Sequence, residues 1–188
     1  MTQAKTLIAR ELRSVLDYVA SRPHAARNRC MLLLTHWAGM RVGEVAALTR
    51  ADVFNADHSV RSEIRLDVLQ TKGKHARVVF LSQRLRKELA SYGNALDRVH
   101  DRTPLFATQK RDAFNANTLC HTLKAIYRGA GLDGASSHSG RRSFITTLAS
   151  KGVGVRVLAA LAGHRSIQTT QAYIDVNDDM KRRAVELV

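Results

Sequence analysis

Two arginines, two histidines and one tyrosine stand in three short stretches of this chain. Arg41 lies in GMRVGEVAAL, His138 and Arg141 in SSHSGRRSF, and His164 and Tyr173 in LAGHRSIQTTQAYIDV. That inventory suits attack on a phosphodiester without a metal ion. The transition state gathers negative charge on the non-bridging oxygens, and a planar guanidinium offers them paired donors in a fixed fork. Arg41 and Arg141 are the candidates, and lysine would replace either poorly. The attacking group must store the bond energy in a covalent adduct if a cut strand is to be rejoined, and Tyr173 fits that role. A free phenol holds its proton up to a pKa of about 10, so it needs a nearby base and positive charge around the phosphate.

Each residue also has a bland reading. A tyrosine in a partly apolar helical segment is usually packing, Arg41 can pair with Glu44 one turn along, and histidines cap helices or sit satisfied in cores. Glu44 is read as the buttress of Arg41. The joint order and spacing of the set favours chemistry over five unrelated structural roles. Tyr18, Tyr92 and Tyr127 have no such company.

The composition agrees. The chain has 188 residues, suited to one well-cored domain, and 30 Lys and Arg against 16 acids, a formal net charge of +14. The excess is spread along the sequence, which predicts a broad basic face and a polyanionic partner. No run approaches the roughly 18 apolar residues of a spanning helix, and the N-terminus lacks a signal-peptide core, so a cytoplasmic protein without membrane association is expected. Cys30 and Cys120 show neither zinc-binding nor disulfide spacings and read as reduced core residues.

The positioning elements are mostly helical. Leu7, Ile8, Leu12, Val15, Leu16 and Val19 recur at helical spacing over residues 4–20. Further helices are predicted over 24–37, 44–50, 83–99, 117–129, 140–150, 155–161, 166–174 and 178–187. The period changes in between: residues 63–70 and 76–81 alternate as strands around a Thr71-Lys72-Gly73-Lys74 turn, a β-hairpin with lysines at its tip. The expected class is α+β, mostly helical, with one small antiparallel hairpin.

Taken together, GxRVGE at Arg41, HxxR from His138 to Arg141, LAGH, and the nine-residue step from His164 to Tyr173 make the chain resemble the catalytic domain of the tyrosine recombinases, the phage integrase family. The likeness runs from about residue 7 to 176, with 177–188 as a C-terminal tail. It implies a site-specific recombinase that cuts and rejoins double-stranded DNA through a 3′-phosphotyrosine, needing neither metal nor nucleotide cofactor. Tyr173 is then the nucleophile, Arg41 and Arg141 bind the phosphate, His138 is the base and His164 donates a hydrogen bond to the phosphate. Lys72, the first lysine of the hairpin turn, protonates the leaving 5′-oxygen, with Lys74 as fallback. The resemblance also implies a homotetramer on two DNA sites, a monomer when free, nucleoid association, and docking of the tail on a neighbouring protomer. Most relatives carry a further helical domain ahead of this one, and none is expected within residues 1–188. Two departures stand out: Gly140 and Arg142 occupy positions where the pattern often has leucine and histidine, so α-helical packing after His138 is expected to differ, with Arg142 as an added phosphate contact. The alternatives are a non-catalytic DNA-binding module of the same fold, against which the intact set of six argues, and a type IB topoisomerase.

Overall fold

The computed structural model describes residues 4–71, 75–96, 102–109, 112–174, 176 and 178–186. The elements run α1 (Ala9–Ala20), α2 (Ala25–Trp37), α3 (Val42–Ala46), α4 (Arg50–Val53), β1 (Glu63–Leu66), β2 (Arg77–Phe80), α5 (Gln83–Gly93), α6 (Ala116–Gly129), α7 (Ser139–Ser150), α8 (Val155–Ala162), α9 (Ile167–Gln171) and α10 (Asp178–Val185). The α+β class, mostly helical with one antiparallel pair, is the one expected from the sequence.

Helix α2 is the axis of the packing. Cys30, Met31, Leu32, Leu33, Leu34, Thr35 and His36 are consecutive and all buried, as a helix enclosed on every side requires. Helices α1, α3, α5 and α7 lie against it, and α8 then packs on α7 and α9 on α8. The contact of α7 with α2 is unusually close. A Cβ on Gly140 would stand 2.0 Å from Thr35 Oγ1 and 2.7 Å from Thr35 Cβ, so no larger side chain fits without separating the helices. This is the physical reason for one of the two departures from the family pattern.

Polar groups in this seam are satisfied. His36 Nε2 lies 3.0 Å from the Tyr127 hydroxyl, both buried. Burial pushes the His36 pKa down from 6.5 to about 4. A depressed folded value means the unfolded chain takes up the proton first, so the stabilisation is complete above pH 6.5 and is lost as pH falls through 4. We expect thermal melts to lose about 3 kcal/mol over that interval from this group, and the His36→Gln variant to lack that part of the slope.

Several boundaries differ from the sequence expectation, each for a local reason. Helix α1 starts at Ala9 because the Glu11 carboxylate accepts the Ile8 N–H at 3.0 Å, an N-terminal cap that halts the helix there. Residues 4–8 instead run as a non-helical segment, with the Lys5 N–H on the Gly134 carbonyl at 3.2 Å. The helix predicted over 44–50 is two short ones, interrupted where Thr49 gives both its N–H and its hydroxyl to Asp52 at 2.8 Å. Strand β1 ends at Leu66, four residues early, because Asp67 Oδ1 accepts the N–H groups of Leu69 and Gln70; this side-chain turn takes the donors a ladder would use. Helix α5 ends at Gly93 with Asn94 as its C-cap rather than reaching Val99, as two poor helix formers in succession dictate. Residues 97–99 lie outside the described residues. Helix α9 ends at Gln171, and a turn carries the chain through Tyr173.

In the hairpin, β1 and β2 pair antiparallel from Glu63↔Phe80 to Leu66↔Arg77. Thr71 and His75 close its far end through two hydrogen bonds; the predicted acid Lys72 and its fallback Lys74 lie outside the described residues. Cys30 is buried and its thiol is pushed up to about 12, while Cys120 is half-buried against the core and both are free. Among the described residues no helix is long and apolar enough to cross a membrane.

Candidate active site

The site is organised by the C-terminus of α8. The last carbonyls of any helix lack intrahelical partners and carry the negative end of its dipole, so they attract cations. Here three consecutive carbonyls each receive an arginine from a different part of the chain. Arg77 of β2 donates Nη1–H to Leu161 O at 2.9 Å, Arg141 of α7 donates Nη2–H to Ala162 O, and Arg41 before α3 donates Nη2–H to Gly163 O at 3.0 Å. Arg141 also donates Nη1–H to Gly39 O at 2.6 Å. The LAGH stretch is thus a comb that sets three guanidiniums side by side.

Gly163 makes the comb possible. Its φ of +62° closes α8 in the left-handed region, and a Cβ there would meet Arg77 Cδ at 2.6 Å. The turn returns the chain so that the His164 N–H reaches Ala159 O at 2.9 Å.

Glu44 balances the cluster. Its carboxylate is 1% exposed and accepts four donors: Arg41 N–H at 2.8 Å, Arg41 Nη1–H at 2.9 Å, Arg77 Nε–H at 3.1 Å and Arg77 Nη2–H at 2.6 Å. Burial raises its pKa, but the hydrogen bond and charge of Arg77, with the N–H and charge of Arg41, outweigh that and leave it below 4.5. Its contribution to stability is therefore complete above pH 4.5 and lost as pH falls through the lower folded value. Glu44→Gln is expected to cost about 3 kcal/mol in urea melts, because it leaves a buried arginine without its counter-charge, and to flatten the acid limb of stability against pH.

Arg141 is 5% exposed, and burial, then Arg41, lower its pKa from 12.5 to about 9, with Arg77 adding to the fall and Glu44 and Tyr173 opposing it. It remains a cation at neutral pH. His164 is pushed down to about 4 by burial first, then by Arg141, Arg41 and Arg77, so its ring is neutral at pH 7. Its Nδ1 lies 2.8 Å from the hydroxyl of buried Thr170. With that hydroxyl donating to Nδ1, the ring proton sits on Nε2, the tautomer that can give a hydrogen bond to an anion.

Tyr173 joins this group. Its ring stacks on His164 with centroids 5.7 Å apart at 20°, and the Arg142 guanidinium lies 5.5 Å from its centroid. Its backbone is fixed on both sides, the N–H to Thr170 O at 3.0 Å and the carbonyl by Thr146 Oγ1 at 3.3 Å. Arg41, Arg141, His164 and Tyr173 are therefore brought together. His138 stands exposed at the N-cap of α7, one turn ahead of Arg141, with no side-chain capping bond.

Compared with known proteins, residues 5–180 match the family model described as the phage integrase family. The chain belongs to the phage integrase family. The tyrosine recombinase XerA of Thermococcus kodakarensis is 30% identical over 186 residues, covering 97% of this chain and 62% of that protein. The tyrosine recombinase XerC of Brucella suis is 32% identical over 172 residues, covering 90% of this chain and 53% of that one. The chain thus spans about three fifths of the length of the first and half of the second. A crystal structure of XerA recombinase superposes with a TM-score of 0.78 at 24% identity, over 100% of this chain and 66% of that one. A post-cleavage complex of XerH site-specific recombinase with palindromic difH gives 0.73 at 23%, over 98% and 53%. Both share the fold of this phage integrase family chain.

Two contributors were not singled out from the sequence. Arg77 carried a signal: in ARVVFL it falls on the same alternating face as Val79, and a charge on an inward face needs a buried partner. Thr170 carried none, since a threonine inside TTQAY looks like any helical polar residue. Arg142, expected as a phosphate contact, sits over the Tyr173 ring with its Nε–H on Thr6 Oγ1 at 3.0 Å.

Proposed function

We propose that the chain is the catalytic part of a site-specific DNA recombinase that cuts and rejoins strands through a covalent 3′-phosphotyrosine, with neither metal nor ATP. The observation that carries this reading is the convergence of Arg41 and Arg141 on adjacent carbonyls of the α8 terminus, beside a tyrosine stacked on His164. Each guanidinium has five N–H donors and spends only some on the protein. The remainder bind the non-bridging oxygens of the scissile phosphate, and being held in advance they cost little reorganisation as charge develops. His164 adds an Nε2–H to the same oxygens. Tyr173 attacks phosphorus, forming the phosphotyrosyl bond as the bond to the 5′-oxygen breaks; His138 takes the phenolic proton and Lys72 supplies one to the leaving oxygen. Attack of a 5′-hydroxyl on the adduct reverses these steps and joins a new strand. Double-stranded DNA is the partner, held by a chain of net charge +14. Strand exchange proceeds in a homotetramer through a Holliday junction, from a protein that is monomeric when free.

The test is a nicked suicide duplex carrying a site selected from random-sequence DNA by the protein itself. Wild type is expected to give an SDS-resistant adduct whose protease-trimmed peptide contains Tyr173. Tight binding without adduct would assign a non-catalytic module instead, and relaxation of plasmids lacking paired sites would assign a topoisomerase.

A further inference from the structure

We propose that Arg142 is a positioning residue that holds the Tyr173 ring in the pocket, and that the segment ahead of α1 governs this hold through Thr6. The inference rests on Tyr173 being the nucleophile. Arg142 has two attachments: its guanidinium carbon lies 5.5 Å from the Tyr173 ring centroid, and its Nε donates to Thr6 Oγ1 at 3.0 Å. A guanidinium over a phenol face is attracted by the ring's negative quadrupole, but a long, flexible side chain holds such a pose only when another bond fixes its plane. Thr6 supplies that bond.

Thr6 is itself held on both sides. The Lys5 N–H is on Gly134 O at 3.2 Å, and the Leu7 N–H is on Ser143 Oγ at 2.8 Å. Ser143 is buried and belongs to the same helix as Arg142, and Leu7 is 5% exposed in the core. The segment therefore runs from the turn before α7 onto that helix, with Thr6 on the arginine that covers the tyrosine and Leu7 on the next residue. Tyr173 lies past the end of α9, in a turn, with its ring stacked on His164 on one side and Arg142 over it as the second hold. Any event that lifts residues 5–7 off α7 removes the Thr6 bond, frees the Arg142 plane and loosens the nucleophile. Residues 136 positions apart in sequence are thereby coupled to the reacting group.

The experiment uses the full chain labelled with 3-fluorotyrosine, the Tyr173 line being assigned by its loss in Tyr173→Phe. Thr6→Val is expected to shift that 19F line toward the free-tyrosine position and to slow single-turnover adduct formation about tenfold, the scale of one partly buried cation–π contact. DNA affinity and its salt slope should stay at wild-type values, and Thr6→Ser should restore line and rate together. An unmoved line and an unchanged rate in Thr6→Val overturn the proposal. So does an Arg142→Gln variant whose only defect is a salt slope smaller by about one, the signature of a phosphate contact. If wild type forms no adduct at all, the nucleophile reading fails, and the 19F comparison of Thr6→Val with Thr6→Ser still decides whether the hold exists.

Discussion

Tyr173→Phe is expected to abolish adduct formation on the suicide duplex, by more than about 10⁴-fold in the single-turnover rate, while DNA affinity and melting temperature stay at wild-type values. Only an oxygen is removed. The phenyl ring still stacks on His164 and lies beneath Arg142, and both backbone bonds of residue 173 are independent of the hydroxyl. Fold and binding are thus insulated from the change. The other tyrosines cannot substitute. Tyr92 donates its hydroxyl to Leu105 O at 3.1 Å and burial pushes its pKa up to about 12. Tyr127 is spent on His36, and burial raises it further. Tyr18 carries Arg22 over its ring at 4.6 Å and abuts Gly129, across α1 and α6. Adduct formation by the phenylalanine variant would mean that a different group attacks, and quantitation of the trapped complex after SDS decides the matter.

The sequence marked the residues that converge beside α8 more fully than it marked the elements around them. Arg41, Arg141, His164 and Tyr173 were legible because each sits at a local structural landmark: after a glycine turn, in the first turn of a helix, past a helix-ending glycine, and a fixed step beyond that. Glu44 was legible as a buttress of Arg41 because i and i+3 share a helix face. Its second and closer duty to Arg77 was not, since that pair joins residues 33 apart, from α3 to β2. Boundaries failed where a side chain outcompeted the backbone pattern: Glu11 capping Ile8, Asp52 holding Thr49 and Asp67 collecting two N–H groups. Those bonds are local in sequence, but whether they form depends on what tertiary packing allows. The Gly140 departure became intelligible only once Thr35 was seen against it, a contact that no periodicity encodes.

Arg141→Lys is expected to lower single-turnover cleavage about 10³-fold and, unlike Arg41→Lys, to lower the melting temperature as well. In the proposed mechanism the two arginines share the phosphate, but they differ in their surroundings. Arg41's side chain is 33% exposed and leans on Glu44, so its replacement leaves solvent to hydrate what remains. Arg141's is buried, and its two Nη groups tie Gly39 O to Ala162 O, joining the turn before Arg41 to the end of α8. An ammonium cannot span both carbonyls in one plane, so the variant loses a phosphate fork and slackens the frame holding the other fork. Charge fails as well. The environment lowers the guanidinium from 12.5 to about 9, and the same burial would push a lysine ammonium, which starts from a lower value, down as well. The replacement would hold its charge less firmly than the arginine does. Cleavage rates and thermal melts for both variants separate these effects. Equal melting losses would mean that Arg141 does not brace the frame, and near-wild-type cleavage by Arg141→Lys would mean that the buried fork is not what binds the phosphate.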